Sequence, residues 1–198
     1  PYIARASNIS KFTNGRFYPI HQLNTDVEPL TESAQHLRRQ LPYAKMAEEV
    51  KGDYLLLITE EDLQIGDTLP HAPVATVGAL ATAGRSSLPC GAVAKEFVTG
   101  AMLDACAGGV IIAENTWANE IIAACEKYKI KTVVTGYAPV GTVATALSAA
   151  HQDLSGAGIT VHQVRREFDT VAWPHATKGF FAMKKAIPSI LVQLGISR

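Results

Sequence analysis

The stretch Tyr54-Leu-Leu-Leu-Ile-Thr59 decides the fold class, because it is a continuous apolar run with polar residues on both sides. The dipeptide Gly52-Asp53 precedes it, and the acidic run Glu60-Glu61-Asp62 follows it. A strand with one solvated face alternates apolar and polar residues, whereas a strand covered on both faces has a continuous apolar sequence. The stretch therefore predicts a strand inside a sheet that other elements cover on both faces.

Four more apolar segments follow at intervals that leave room for helices. We expect the last of them at an edge of the sheet, because it is short and charged residues follow it. They are Ala72–Gly78, Val110–Ala113, Lys131–Thr135 and Ile159–His162. Between them, residues such as Val93 and Phe97 recur at helical spacing, on a stripe that we expect to face inward. Strands that alternate with helices have right-handed crossovers and run parallel. The sequence therefore predicts a doubly wound, Rossmann-like α/β domain with a mostly parallel five-stranded sheet and helices on both faces.

The chain divides into two parts at about residue 50. Residues 51–198 hold the α/β pattern and a C-terminal helical segment. From Pro1 to about residue 29 no periodicity is sustained, and Asn14-Gly15 is a strong turn signal, so we predict an extended arm. Apolar residues at loosely helical spacing from Thr31 to Val50 predict a helix in which Pro42 either starts a new turn or makes a kink. Since Pro1 stands where Met would begin a chain, we expect a fragment of a longer protein.

The charge balance limits the classes of partner. Eighteen Lys and Arg residues match eighteen Asp and Glu residues, so the chain lacks the overall positive charge of a stand-alone nucleic-acid-binding protein, although a local basic patch is compatible with this balance. Three widely spaced cysteines form neither a CxxC pair nor an even disulfide set, which indicates a reduced, cytoplasmic location. No apolar run approaches the roughly 20 residues that span a bilayer, so we expect no membrane partner.

Candidate site residues lie in three loops that follow predicted strands, because open α/β sheets bind ligands at the carboxyl ends of their strands. The loops are Thr59 to Asp62, Gly78 to Arg85 and Thr135 to Gly141. Within them, the candidate cofactor-binding residues are Thr59, Glu60, Asp62, Gly78, Arg85, Thr135, Gly136, Tyr137 and Gly141. We predict no catalytic residue and no metal ligand, because the six histidines lack metal-like spacing and no serine lies in a GxSxG elbow.

These segments also have ordinary structural interpretations. Gly136 and Gly141 can bring backbone N–H groups close to a phosphate, or they can serve a plain strand-to-helix turn. The acidic run after the first strand can bind ribose hydroxyls or a metal ion, or it can be a solvated cap. Near the C terminus, we interpret Trp173, Phe180 and Phe181 as rings that pack the C-terminal helices onto the domain, with a functional role as the alternative.

From Tyr54 to Leu194 the order and spacing of these segments resemble the N-terminal α/β domain of the DNA photolyase and cryptochrome family. The matching segments are Glu61-Asp62-Leu63, Val93–Ala107, Lys129–Thr135, Ala157–Val161 and Thr177–Lys185. Family members usually carry Arg on either side of the acidic-leucine turn, and here Glu60 and Gln64 occupy those places. The resemblance implies a domain that supports light-dependent DNA repair or signalling.

The family resemblance also implies cofactors and partners. It places FAD in a helical half that is absent from these 198 residues. DNA is then bound only by the complete protein, with a helical flavin-binding domain in cis or in trans. In some members the crevice of the α/β domain holds an antenna chromophore. Because the arm before Gly52 has no counterpart in a conventional α/β domain of this family, we hypothesise that a helical half precedes it.

Two other functions stay open. The loop from Gly136 to Gly141 is compatible with a stand-alone nucleotide-binding module, like those of electron-transfer flavoproteins and universal-stress proteins. The C-terminal helices and the arm are compatible with a non-catalytic interaction domain that forms a homo-oligomer.

Overall fold

The computed structural model describes residues 4–24 and 40–196. Its contacts divide the chain into two compact units, one within residues 1–40 and one within residues 41–198. The first unit contains helix α1 (Ala6–Phe12), in the segment that we predicted to be extended. The turn predicted at Asn14-Gly15 is confirmed, since both residues have positive φ angles of 53° and 76°. Much of the helix predicted from Thr31 lies outside the described residues, and residues 47–49 form one 3-10 turn.

The second unit is built on a five-stranded sheet in which every pair of neighbours is parallel. The strands are β1 (Leu55–Thr59), β2 (Ala75–Ala79), β3 (Val110–Ile112), β4 (Thr132–Gly136) and β5 (Thr160–Val164). Their spatial order is β3-β2-β1-β4-β5, which places β1 at the centre. All five residues of β1 are buried, because elements cover both faces there. The predicted doubly wound α/β fold is therefore confirmed.

Helices lie on both faces of this sheet. The helices of the unit are α2 (Ala92–Ala105), α3 (Trp117–Tyr128), α4 (Thr142–Gly156), α5 (Glu167–Ala172) and α6 (Phe180–Gln193). Helices α3 and α4 cover one face, where Ile121 and Leu147 pack in the same cluster as Leu57 of β1. Helix α2 lies on the other face, where Met102 packs with Leu56. The longest helix in the described part of the chain is α4, with 15 residues, and none there is long and apolar enough to cross a membrane.

The connection from β1 to β2 contains no α-helix. Residues 60–74 form loops around a single 3-10 turn, Ile65–Thr68, whose Ile65 side chain is buried. Parallel strands usually have a helix in such a crossover, which covers the sheet between them. Its absence leaves a groove of about 890 Å³ on the face that carries α2.

Strand β5 was predicted at an edge, and it is the last strand of the sheet. Its outer side is partly covered, since Lys45 forms a parallel bridge with Val164. The Lys45 N–H donates to the Gln163 carbonyl at 3.0 Å, and the Arg165 N–H donates to the Lys45 carbonyl at 3.0 Å. Residues 41–50 thus belong to the α/β unit, which begins before the boundary expected near residue 51.

The inward face of α2 differs from the prediction. Phe97 is 76 % exposed, and residues 92–97 are all exposed, whereas Met102 is 0 % exposed. Only the C-terminal half of the helix approaches the sheet, because Gly78 on β2 lets Met102 and Cys106 come close there. The expectation that Val93 and Phe97 pack inward is therefore wrong.

Candidate functional site

The candidate site lies where the strand order reverses. Strands β2 and β3 extend the sheet on one side of β1, and β4 and β5 extend it on the other. The carboxyl ends of β1 and β4 are therefore neighbours. The connection after β1 leads to β2 on one side, and the connection after β4 leads to β5 on the other side. Such a switch point is the usual ligand crevice of an open α/β sheet.

A tight turn follows β1 at this crevice. The N–H of Asp62 donates to the carbonyl of Thr59 at 3.1 Å, which closes the turn. The three carboxylates of the acidic run then reach three different parts of the domain: the loop after β2, the start of α4 and a residue just beyond β5. We call this run, Glu60 to Asp62, the acidic clasp.

Glu60 joins β1 to the loop after β2. Its Oε2 accepts from the Thr82 hydroxyl at 2.6 Å and from the Ala81 N–H at 3.2 Å, and its Oε1 accepts from Arg85 Nε at 2.8 Å. The Glu60 side chain is 3 % exposed, whereas that of Arg85 is half-exposed. A buried carboxylate with three donors is a strong local tie, since charged hydrogen bonds are stronger than neutral ones. The structure therefore brings together two of the predicted site residues, Glu60 and Arg85, as partners of each other.

Asp62 joins β1 to the end of β5. Arg166 donates to it in a bidentate pair, with Nη2 at 2.7 Å from Oδ1 and Nε at 3.1 Å from Oδ2. This hydrogen bonding raises the pKa of the Arg166 guanidinium above its ordinary value. Gly136 leaves room for the pair, because a Cβ there would lie 3.2 Å from the Cβ of Asp62.

Glu61 lies beside the start of helix α4. A Cβ on Gly141 would lie 3.3 Å from Glu61 Oε1, so this carboxylate is close to the residue that precedes the helix. The N-terminus of a helix carries a partial positive charge, which favours a carboxylate in that position. A phosphate at this helix start would meet the negative charge of Glu61.

Thr135 and Tyr137, the other predicted residues near β4, have different surroundings. Thr135 is fully buried, and its hydroxyl has no hydrogen-bond partner within the described residues. The Tyr137 ring has the Trp173 ring at 5.7 Å and the Arg165 guanidinium at 5.2 Å, in a cation–π contact. Arg165 is buried and also donates to the Thr170 hydroxyl at 3.1 Å. Trp173 thus packs against the domain.

Gly78 has a packing role. A Cβ at this position would lie 2.7 Å from Cys106 Sγ and 2.8 Å from Met102 Cγ, so β2 and α2 approach each other closely there. Cys106 is buried, and this burial raises the pKa of its thiol. These contacts explain the glycine without a ligand.

We expect Gly78→Ala to lower the free energy of unfolding by about 1–3 kcal/mol, because overpacking a dense core forces side chains out of their rotamers. Gly100→Ala is the matched control in the same part of the domain, since a Cβ there meets nothing within 4 Å. That change should stabilise α2 by about 0.5–1 kcal/mol through helix propensity. Urea unfolding of both variants measures the difference, and equal effects would contradict the close packing of α2 on β2.

The large groove on the α2 face collects part of the predicted set. Its lining includes the acidic clasp together with Arg166, Asp67 and Asp104. Thr135, Gly136 and Tyr137 do not line it, and Gly141 lies in a separate pocket of about 500 Å³ with Val140 and Gly84. The nine predicted residues therefore do not form one site. Arg166 was missed as a site residue, although two consecutive arginines directly after a strand were a usable signal.

The described residues hold no group of three or more His, Cys, Asp or Glu side chains placed to bind a metal ion. Comparisons with protein-family models, curated proteins and solved structures find no match. The photolyase and cryptochrome resemblance thus depends on the quoted segments of this sequence.

Proposed function

We propose that this chain is the α/β part of a two-part protein of the photolyase and cryptochrome type, which acts with a helical flavin-binding partner in light-dependent DNA repair or signalling. The observation that carries the proposal is the set of exposed aromatic and aliphatic side chains on two helices of the α/β unit. The sequence resemblance suggests which class of partner binds. The exposed apolar side chains support the presence of a partner, because they would be covered on binding.

Helix α6 presents the larger part of these side chains. Phe180 and Phe181 are 66 % and 78 % exposed, and their rings contact each other at 5.5 Å between centroids. Our expectation that these two rings pack onto the domain is therefore wrong. Within this helix only Ile190 is buried. On α2, Phe97 is exposed in the same way. Apolar groups of this size, when they lie close together on a surface, mark sites of protein–protein contact.

We interpret the crevice as one wall of a binding site that a partner completes, rather than as a complete binding site. Its carboxylates already accept hydrogen bonds from the chain itself, Glu60 from Arg85 and Asp62 from Arg166. In this proposal an antenna chromophore or a nucleotide binds between the crevice and the partner. A stand-alone nucleotide-binding module has weaker support, because Glu61 stands near the helix start where a phosphate would bind.

The test is to express the tagged full chain in its source organism and to record the absorption spectrum of the purified complex. We expect a helical protein to co-purify, with the near-ultraviolet and blue bands of bound flavin. Phe180→Asp combined with Phe181→Asp should abolish both the co-purification of the helical protein and the flavin absorption, because two charges replace the exposed rings. Phe12→Asp, an exposed Phe of the other compact unit, is the control that should keep them.

A colourless preparation without a partner would contradict the proposal. Recovery of bound AMP, ATP or FAD on the chain alone would instead support the nucleotide-binding module. If the double variant retained the flavin protein at the wild-type level, docking through α6 would be excluded.

A further inference from the structure

The charged side chains of the described N-terminal residues 4–24 are all basic. They contain Arg5, Lys11 and Arg16 and no acidic residue, and the first acidic residue of the whole chain is Asp26. The full chain has equal numbers of basic and acidic residues, so its net charge of zero does not reveal that this segment is basic. A basic segment of this kind attracts a polyanion such as nucleic acid.

Exposed aromatic rings alternate with these cations. Phe12 is 81 % exposed, and Phe17 and Tyr18 are exposed as well. Lys11 Nζ lies 5.7 Å from the centre of the Phe12 ring, and Arg16 Cζ lies 5.2 Å from that of Phe17. Phe12 and Phe17 therefore each have a cation beside the ring. A ring next to a cation can stack on a base while the cation pairs with the adjoining phosphate.

A hydrogen-bonded turn holds the two cation–aromatic pairs at the same end of α1. The Thr13 hydroxyl donates to the Ile9 carbonyl at 2.7 Å and accepts from the Phe17 N–H at 3.2 Å. The Gly15 N–H donates to the Ser10 carbonyl at 2.8 Å, which closes the chain around the helix end. The rings are thus presented by an ordered turn, which reduces the entropy that binding must overcome.

The same segment forms a cleft at the opposite end of the helix. Residues 18–24 fold back over the start of α1 and leave a space of about 590 Å³. Its lining includes Arg5, Ser7, Tyr18 and His21, which offer a ring and several hydrogen-bond donors. Small-molecule pockets have volumes of about 300–1,000 Å³, so one nucleotide fits this space.

We propose that residues 4–24 form a binding site for single-stranded nucleic acid. Phe12 and Phe17 stack on unpaired bases, Lys11 and Arg16 bind the phosphates between them, and the cleft beside Tyr18 holds a further nucleotide. Single strands are favoured over duplexes because stacking on a ring requires a base that is free of its partner. A membrane surface fits less well, since α1 has only seven residues and includes the polar Asn8 and Ser10. This inference is independent of the proposed function.

The test measures the fluorescence anisotropy of a labelled 20-mer of thymidine with the full 198-residue chain. We expect a Kd of about 10–100 µM near physiological salt, in the range of non-specific binding. Because three cations release counterions from a single strand, log K should fall with log salt at a slope of about −2. A duplex of the same length and vesicles of phosphatidylcholine with phosphatidylserine are the comparison ligands.

Four variants separate the contributions of rings and charges. Phe12→Ser combined with Phe17→Ser should weaken binding by about tenfold or more per ring, because each base stack is lost. Arg16→Gln should reduce the salt slope by about 0.7. The controls Phe168→Ser and Lys95→Gln replace an exposed ring and an exposed cation of the other compact unit, and they should leave binding unchanged. Circular dichroism checks that each variant keeps its fold.

The proposal is overturned if the chain binds duplex or vesicles more tightly than the 20-mer, or if it binds none of them at low salt. It is also overturned if the ring variant and the Phe168 control bind equally well. Weaker binding that is confined to the ring and Arg16 variants supports it.

Discussion

Replacement of Met102 by alanine is expected to lower the free energy of unfolding by about 2–5 kcal/mol, the range for a buried methionine that leaves a cavity. Met102 is 0 % exposed and belongs to the core cluster between α2 and the sheet. The side chain packs directly over Gly78 of β2, which has no side chain of its own to fill the space. Urea unfolding of the full chain, followed by circular dichroism, measures the change.

The matched control on the same helix is Phe97→Ala. This ring is 76 % exposed, so its truncation should change the free energy of unfolding by no more than about 0.5 kcal/mol in the isolated chain. A larger loss for Phe97 than for Met102 would show that α2 packs on the sheet by its opposite face.

Replacement of Glu60 by alanine is expected to cost about 2–4 kcal/mol. The change leaves the Ala81 N–H, the Thr82 hydroxyl and the Arg85 guanidinium without their acceptor. Breaking a fully buried ion pair costs about 3–5 kcal/mol, and the expected value is lower for Glu60 because Arg85 is half-exposed and can return to water. The same unfolding experiment measures the loss.

Two further measurements separate this tie from a general effect of charge. Glu61→Ala removes a neighbouring carboxylate that is exposed, and it should cost less than about 1 kcal/mol, the size of a helix-dipole contribution. Hydrogen exchange at the Ala81 amide should accelerate in the Glu60 variant but not in the Glu61 variant. Equal costs for the two variants would contradict the role of Glu60 as the tie between β1 and the loop after β2.

The strands were predictable because their signal is local. A strand buried on both faces needs a continuous apolar run, and residues 55–59 have one regardless of which neighbours cover them. The position of β5 at one end of the sheet followed from its short length and the charges beyond it. No such local signal indicates which face of α2 packs against the sheet. Apolar residues occur around this helix, and only the close approach at Gly78 selects Met102 over Phe97.

In the candidate site too, some features follow from the local sequence and others depend on the tertiary structure, as the acidic clasp shows. The sequence alone determined that three carboxylates follow a buried strand of a parallel α/β sheet, at the end of the strand where such folds bind ligands. The strand order of the structure shows that this strand is the central one. Only the tertiary structure decided their partners, because Arg166 lies 104 residues beyond Asp62 and Arg85 lies 25 residues beyond Glu60. The strand order brings these side chains together, and hydrogen bonding over such separations in sequence leaves no periodicity to detect. The local pattern thus determined the elements, and packing between distant elements decided which of their side chains are buried, paired or exposed.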